Sequence, residues 1–272
     1  MDNTLHGLSP EYLPMASLTV YTTLVEDDPV FDDDFSCQGS AACIGRNSGY
    51  IELVTNMHCT GLMDLAENGD LGFLGDGELE VKVFDMEVAF PTGRTAVVES
   101  FQLFFPYDLA VLRVEEEGLK ECHDFVILDM LPNGVNSPPP GSPVLAVGSP
   151  LGLEGSVTSG IVSAYRDFES FFDGPGYGPY IQIDAAVSPG NSGGPLLCLH
   201  EGGYFLIGLN SWTLTNGSWF SGRTGQNLNF ALDLRETLLR INENPAVYSA
   251  NIRGVIEAMD EVFDVDAVEA GR

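Results

Sequence analysis

The stretch QIDAAVSPGNSGGPLL, residues 182–197, is the basis of the fold and the chemistry that we predict for this chain. Within it, Ser192 lies among Gly190, Gly193 and Gly194, and glycines allow a tight turn that aims the N–H groups of Gly190 and Ser192 at one point. Two such donors beside a hydroxyl suit acyl transfer, because they stabilise the negative oxygen that forms when the hydroxyl attacks a carbonyl. The stretch therefore predicts a nucleophile and an oxyanion hole made from neighbouring residues.

A catalytic serine also needs a base to take its proton and a carboxylate to hold that base in the right tautomer. His58, one of four histidines, is the candidate base because it lies in the apolar run LVTNMHC. Asp108 is the candidate carboxylate because it opens the apolar run DLAVLRV. Each residue alone also fits a structural role, as a turn serine, a core histidine or a strand-start acid. Together, in the order His, Asp, Ser, they predict a triad.

Five blocks of the sequence carry a resemblance to a known family. Four of them are TNMHC around His58, DLAVLRV after Asp108, AVGSPLGLEGSVTSGIVSA at residues 146–164, and the block around Ser192. The fifth and weakest is the pair GLNSW and NFAL, which look like the strands that flank a substrate channel. Over residues 38–239 the chain resembles the chymotrypsin-fold serine proteases and, within them, the HtrA (DegP-like) branch.

The resemblance implies a serine endopeptidase that acts on unfolded or extended polypeptide and requires no cofactor and no metal. Ser192 would attack the carbonyl, His58 would move the proton, Asp108 would orient His58, and Gly190 and Ser192 would form the oxyanion hole. A second hypothesis stays open, in which the chain is a protease-fold binding or scaffold protein whose triad is silent or gated by its loops.

The same resemblance implies an all-β fold of two antiparallel six-stranded β-barrels of the chymotrypsin type, with C-terminal helices. The composition agrees, since 44% apolar residues with 31 glycines and 16 prolines suit many short strands joined by turns. We expect an N-terminal barrel in residues 1–131, a linker in 132–142, and a C-terminal barrel with its following helix in 143–245. Residues 246–272 would form an amphipathic helix and an acidic tail. The active site would lie in the cleft between the barrels.

Two helices are predicted near the C-terminus. Asp233 followed three residues later by Glu236 is a capping-box pattern that begins the first helix. The second is expected at residues 251–263, where the apolar side chains fall on one face and where HtrA proteins usually carry a PDZ domain. We expect no PDZ domain in this chain, and the helix either packs on its own barrel or binds a partner.

Substrate-binding roles also follow from the resemblance, for Ala186, Asn210, Ser211, Trp212, Leu228 and Phe230. Ala186 lies six residues before Ser192, at the floor of the primary specificity pocket in this fold. Because no carboxylate lies there to form an ion pair with an arginine or lysine of the substrate, we expect cleavage after small or medium apolar residues.

The resemblance also bears on the control of activity. Trypsin-type zymogens pair a new N-terminus with an aspartate immediately before the catalytic serine, and this chain has the neutral Asn191 there. We therefore expect control through the order of three loops, at residues 166–179, 184–189 and 213–227, without proteolytic maturation.

The net charge of −29, from 40 acidic against 11 basic residues, argues against nucleic acid and anionic membranes as partners. Acidic clusters occur at residues 26–34 and 257–269, but the first lacks the spacing of a calcium-binding loop, so we expect solvation there. No signal peptide or transmembrane segment is recognised, so we expect no membrane insertion, and a cytoplasmic location if the chain is the full-length product. The sequence leaves a homo-oligomer open.

Five cysteines cannot all pair. Cys43 and Cys59 resemble a disulfide common in animal chymotrypsin-like enzymes and unusual in the HtrA branch. The match of residues 38–40 to the HtrA strand indicates a hairpin of another length, so bridged and unbridged states both stay open.

Overall fold

Two β-barrels form most of the part of the chain that the structure describes. This computed structural model describes residues 7–24, 35–60, 72–73, 79–80, 84–104, 107–153, 155–168, 178–213 and 228–243. The first barrel contains β1 (Leu18–Leu24), β2 (Phe35–Asn47), β3 (Tyr50–Thr55), β6 (Phe84–Ala89), β7 (Thr95–Phe104) and β8 (Leu109–Glu115). Between β3 and β6 lies a separate two-stranded sheet of β4 (Gly72–Phe73) and β5 (Leu79–Glu80). The second barrel contains β9 (Pro143–Gly148), β10 (Ser156–Phe168), β11 (Gly178–Ile183), β12 (Pro195–His200), β13 (Gly203–Thr213) and β14 (Asn229–Asp233).

The two barrels have the same topology. The strand order is β1-β2-β3-β8-β7-β6 in the first barrel and β10-β11-β14-β13-β12-β9 in the second, and both are closed and antiparallel. If the strands of each barrel are counted along the chain, both follow the cyclic order first, second, third, sixth, fifth, fourth. The predicted all-β fold of two six-stranded antiparallel barrels is confirmed.

Burial on both faces explains why β3 and β8 are mostly apolar. Leu53 and Leu112 point into the first barrel and belong to its core. Val54 and Val111, one residue away on each strand, belong to a second cluster that also contains Leu209 and other residues of the second barrel. Because side chains alternate between the faces of a strand, the two strands pack inward and against the other barrel at once.

An extended segment after β8 connects the barrels. The N–H of Leu128 donates to the carbonyl of Cys43 in β2 at 2.9 Å, and the N–H of Leu206 in β13 donates to the carbonyl of Asp129 at 2.8 Å. The N-terminal residues also reach the second barrel, since Leu8 pairs with Tyr204 of β13. The division into residues 1–131, 132–142, 143–245 and 246–272 stays a prediction, except that Leu8 lies on the second barrel instead of the first.

The first predicted helix is present as α1 (Leu234–Glu243), and Asp233 caps it by accepting a hydrogen bond from the N–H of Glu236 at 3.1 Å. The predicted helix at 251–263 lies outside the described residues. The expected loop at 166–179 is shorter than predicted, because β10 continues to Phe168 and pairs there with β11. Among the described helices, none is both long and apolar enough to cross a membrane.

Asp233 makes stability depend on pH. Burial raises the pKa of its carboxyl to about 6, although the N–H of Glu236 and the neighbouring Arg235 act in the opposite direction. The folded protein thus holds this proton more tightly than the unfolded chain does. The stabilisation is complete below about pH 4 and is lost as the pH rises through about 6.

We predict that Asp233→Asn, which keeps the capping oxygen and removes the charge, raises the free energy of unfolding at about pH 8 by roughly 1–3 kcal/mol. At about pH 4 the variant and the wild type should be equally stable. Asp233→Ala is the matched control and should be about 1 kcal/mol less stable than Asp233→Asn at both pH values, because it lacks the cap. Urea unfolding at the two pH values measures all three proteins, and a less stable Asp233→Asn at about pH 8 would contradict the prediction.

Candidate active site

The pairing of β3 with β8 brings His58 and Asp108 together. His58 lies in a short 3-10 turn, Met57–Thr60, just after β3, and Asp108 immediately precedes β8. The strands are antiparallel with Thr55 opposite Ala110, so the end of one lies beside the start of the other. His58 Nδ1 donates to Asp108 Oδ2 at 2.7 Å, and the backbone N–H of His58 donates to Asp108 Oδ1 at 2.9 Å.

Asp108 is fully buried, and its carboxylate accepts hydrogen bonds from three donors. Besides the two groups of His58, Ser211 Oγ donates to its Oδ2 at 3.2 Å. Ser211 comes from the second barrel, where β13 shifts register against β14 between Asn210 and Trp212, so Ser211 is the extra residue of a bulge. A bulge re-aims one side chain out of a regular strand, and here it directs Ser211 across the barrel interface.

The environment of His58 favours its protonated form. Burial of the ring lowers its pKa, but the negative charge of Asp108 and the hydrogen bond to it outweigh burial, and Cys59 acts in the same direction. The pKa of His58 therefore lies well above the usual 6.5. With Nδ1–H held by Asp108, the neutral ring presents a lone pair at Nε2.

Ser192 lies beside a turn whose type is fixed by its residues. The N–H of Asn191 donates to the carbonyl of Ser188 at 2.9 Å, with Pro189 and Gly190 between them. Gly190 has φ of +97°, which makes this a type II turn, with proline at its second position and glycine at its third. An alanine at residue 190 would be strained in this conformation, so the glycine that the sequence places before the nucleophile is required by the turn.

The backbone carbonyl of Ser211 accepts a hydrogen bond from the hydroxyl of Ser192, the predicted nucleophile. Ser192 Oγ donates to the carbonyl of Ser211 at 2.7 Å. Among the described residues, the structure contains no hydrogen bond between Ser192 Oγ and the His58 ring. Ser211 thus touches both Ser192 and Asp108.

Two buried polar residues of the first barrel hold the segment around Ser192, and the sequence interpretation gave neither of them a role. Asn56 is fully buried, accepts from the N–H of Gly193 at 2.7 Å and donates from Nδ2 to the carbonyl of Asp108 at 2.9 Å. Ser40 in β2 contacts the same segment through its N–H and its hydroxyl. The signal that could have revealed both is a polar residue inside or at the end of an apolar strand, where a buried group must find a partner.

The predicted substrate-binding residues occupy different environments. Ala186 is exposed, and its carbonyl accepts a hydrogen bond from Thr158 Oγ1 at 2.7 Å. Trp212 is partly exposed and stacks on Phe230 with ring centroids 4.1 Å apart, while Phe230 itself is buried. Leu228 is partly buried and packs against the apolar cluster to which Phe230 belongs.

Asn210 lies in β13 beside the segment that carries Ser192. Its side chain is fully buried, and Nδ2 donates to the carbonyl of Val147 at 3.0 Å. Its backbone carbonyl accepts the N–H of Gly193 at 2.7 Å. Asn210 therefore supports the segment that carries Ser192, and its substrate-binding role stays a prediction.

The hypothesis of a Cys43–Cys59 bridge is wrong in this structure, where both thiols are free and buried. Gly39 is the residue that faces Cys59, since a Cβ placed on Gly39 would lie 2.5 Å from Cys59 Sγ. Cys43 is four residues further along β2, which is roughly 13 Å of extended chain, beyond the reach of a disulfide. Burial raises the pKa of the Cys43 thiol to about 12, and Cys59 Sγ donates to the carbonyl of Ser192 at 3.3 Å.

No group of three or more His, Cys, Asp or Glu side chains within the described residues is arranged to hold a metal ion. The acidic clusters at 26–34 and 257–269 lie outside the described residues. Two of the predicted control loops, at 166–179 and 213–227, lie mostly outside them as well.

Comparison with known proteins assigns the family. Residues 39–209 match the model of the trypsin-like peptidase domain, which is more than half of the chain. The chain belongs to the trypsin-like peptidase family. The match contains His58, Asp108 and Ser192, the residues that the two barrels bring to their interface.

Relatives of this trypsin-like peptidase agree with the predicted HtrA branch. It is 35% identical over 164 residues to a probable periplasmic serine endoprotease, DegP-like, of Ectopseudomonas mendocina, covering 60% of this chain and 30% of that protein. It is 38% identical over 138 residues to the serine protease PepD of Mycobacterium tuberculosis, covering 48% of this chain and 27% of that protein. The chain therefore spans less than a third of the length of these relatives.

A solved structure extends the likeness to the fold. The HtrA-type protease AlgW with a tripeptide superposes with a TM-score of 0.52 at 26% identity, covering 85% of this chain and 60% of that one. The predicted resemblance to the HtrA branch is confirmed.

The free cysteines give a direct prediction. Titration of the purified protein with a thiol reagent, in denaturant and without reductant, should find all five thiols of the chain. A Cys43–Cys59 bridge would give two fewer. The Cys43→Ala variant is the control. It should have one thiol fewer than the wild type if Cys43 is free in the wild type. It should have one thiol more if the wild type is bridged, because the substitution then releases Cys59.

The His58–Asp108 pair predicts a shifted titration. In Ser192→Ala, which keeps the pair intact, the ring of His58 should titrate well above 6.5 when followed by NMR. Adding Asp108→Asn should lower the pKa, because the negative charge that favours the imidazolium is removed. A titration of His58 at or below 6.5 with Asp108 present would contradict the described pair.

Proposed function

We propose that this chain is a serine endopeptidase that hydrolyses peptide bonds in unfolded or extended polypeptides through Ser192, His58 and Asp108. The observation that carries the proposal is the doubly hydrogen-bonded His58–Asp108 pair, at 2.7 and 2.9 Å, at the interface with the barrel that presents Ser192. Membership of the trypsin-like peptidase family supports the same activity.

Asp108 prepares the base in this proposal. Its buried carboxylate holds Nδ1–H of His58, so the neutral ring has its lone pair at Nε2, on the side available to a hydroxyl proton. The raised pKa of His58 has two consequences. It makes the ring a stronger base once it is neutral, and it confines full activity to pH values above that pKa.

Attack requires Ser192 to leave its resting partner. The hydroxyl turns from the carbonyl of Ser211 towards His58, gives up its proton, and adds to the substrate carbonyl. The N–H groups of Gly190 and Ser192 then stabilise the oxyanion, and His58 returns the proton to the leaving amine. Water repeats the sequence on the acyl-enzyme and releases the second product.

The substrate class follows from where Ser192 lies. The residue is only partly exposed, in a segment held between two barrels. An extended segment exposes its carbonyls to such a site, whereas a folded domain keeps most of its backbone carbonyls in hydrogen bonds. Polypeptide is therefore the proposed substrate.

The triad predicts a non-additive pattern of mutations. Ser192→Ala and His58→Ala should each lower kcat by up to about a million-fold, and the double variant should be hardly worse than either, because the two residues act in one step. Asp108→Asn should lower kcat about ten-thousand-fold while the protein folds normally, since the substitution favours the wrong tautomer of His58. Digestion of an unfolded protein such as casein measures all four, and full additivity would contradict the assignment.

One observation favours the second hypothesis, a binding or scaffold protein with a silent triad. Ser192 Oγ is bonded to Ser211 instead of His58. A fluorophosphonate probe separates the two functions, because it labels only a serine that a correctly placed base activates. Labelling of the wild type but not of Ser192→Ala supports the protease, and no labelling of either supports the scaffold.

The specificity pocket carries a further prediction. Ala186 is small and uncharged, so peptide bonds after valine, alanine or leucine should be cut preferentially. A mass-spectrometric map of the cut sites in an unfolded substrate tests this, and a map dominated by arginine and lysine would refute it. Ala186→Asp provides the matched variant and should weaken cleavage after apolar residues, since it places a charge where those side chains bind.

A further inference from the structure

A hydroxyl from the first barrel touches the segment that carries Ser192 in the second. Ser40 is fully buried in β2. Its Oγ donates to the carbonyl of Gly190 at 2.7 Å and accepts from the N–H of Ser149 at 3.0 Å, so both hydrogen-bonding roles of the hydroxyl are used. Its backbone N–H donates to the carbonyl of Ser192 at 2.7 Å. One residue therefore holds the carbonyls at both ends of the segment from Gly190 to Ser192.

These contacts fix the peptide group between Gly190 and Asn191 at both ends. Its carbonyl accepts from Ser40 Oγ at 2.7 Å, and its N–H donates to the carbonyl of Ser188 at 2.9 Å. A peptide unit is planar, so holding both of its polar groups sets the orientation of the whole unit. The proposed oxyanion donors, the N–H groups of Gly190 and Ser192, flank this unit on either side.

Ser40 is itself held in place. Its carbonyl accepts from Thr55 Oγ1 at 2.6 Å, and Thr55 is the last residue of β3, three residues before His58. The strand that leads to the base therefore also fixes the residue that holds the oxyanion turn. Glycine makes alternative backbone states of this turn accessible at little cost, so the turn depends on contacts from outside.

We propose that Ser40 is a positioning residue for the oxyanion hole, which acts by holding the carbonyl of Gly190. The inference rests on the proposed function, since it concerns the donors that stabilise the transition state. Loss of the hydroxyl leaves a buried carbonyl without its partner, and the turn relaxes to satisfy it. The donors at Gly190 and Ser192 then no longer converge, while the rest of the channel is unchanged.

The test compares Ser40→Ala with Thr19→Val. Thr19 Oγ1 donates to Ser149 Oγ at 2.9 Å, so Thr19→Val removes a buried hydrogen bond of the neighbouring residues without touching Gly190 or Ser192. Ser40→Ala should lower kcat by about 10- to 100-fold and leave KM within about twofold. Thr19→Val should leave kcat within about twofold.

A pair of inhibitors separates positioning from general damage. A peptide aldehyde adds to Ser192 and puts its oxygen in the oxyanion hole, whereas the corresponding peptide amide, if it is not cleaved, binds only the channel. Ser40→Ala should weaken the binding of the aldehyde by about the same factor by which it lowers kcat, and it should leave the binding of the amide unchanged. Ser40→Gly removes the same hydroxyl together with Cβ, should behave alike, and replaces Ser40→Ala if that variant does not fold.

Three results would overturn the proposal: an unchanged kcat, an equal loss in Thr19→Val, or equal weakening of aldehyde and amide. If the wild type has no turnover that depends on Ser192, the proposed function fails, and the role of Ser40 is then decided by amide hydrogen exchange. Faster exchange at Gly190 and Asn191 in Ser40→Ala, but not in Thr19→Val, supports the positioning role, and equal exchange in the two variants refutes it.

Discussion

The side chain of Asn56 is the contact on which the arrangement of the site depends. It is fully buried, donates to the carbonyl of Asp108 at 2.9 Å and accepts the N–H of Gly193 at 2.7 Å. One amide therefore joins Asp108 to Gly193, the residue that follows Ser192. Because an amide offers a donor and an acceptor at a fixed separation, it sets a distance between the two barrels that an apolar side chain could not specify.

The apolar core explains why these polar contacts can be so specific. Val54 and Val111 of the first barrel pack in one cluster with Leu197 and Leu209 of the second, and this burial provides the driving force for joining the barrels. Burial is non-directional, so it brings the barrels together without fixing their register. Hydrogen bonds at the edge of the cluster supply the register, and each of them would be costly to leave unpaired.

Ser211 gives the site a resting state. Its carbonyl holds the hydroxyl of Ser192, and its own hydroxyl contacts Asp108. Of the three residues of the proposed triad, His58 and Asp108 are paired directly, whereas Ser192 is bonded to Ser211. Cys43 and Cys59 form no cross-link at the site, and Cys59 lies against Gly39 and the carbonyl of Ser192.

The all-β fold, the helix capped by Asp233 and the family could be predicted from the sequence alone, because apolar runs, turn residues and motif blocks are local features. It also singled out His58, Asp108 and Ser192, of which the structure pairs the first two directly and links the third through Ser211. The sequence could not assign Asn210 to the interior, separate Cys43 from Cys59, or find Ser40 and Asn56 as anchors. Those outcomes depend on strand register and on contacts between residues more than a hundred positions apart, which only the closed and docked barrels decide.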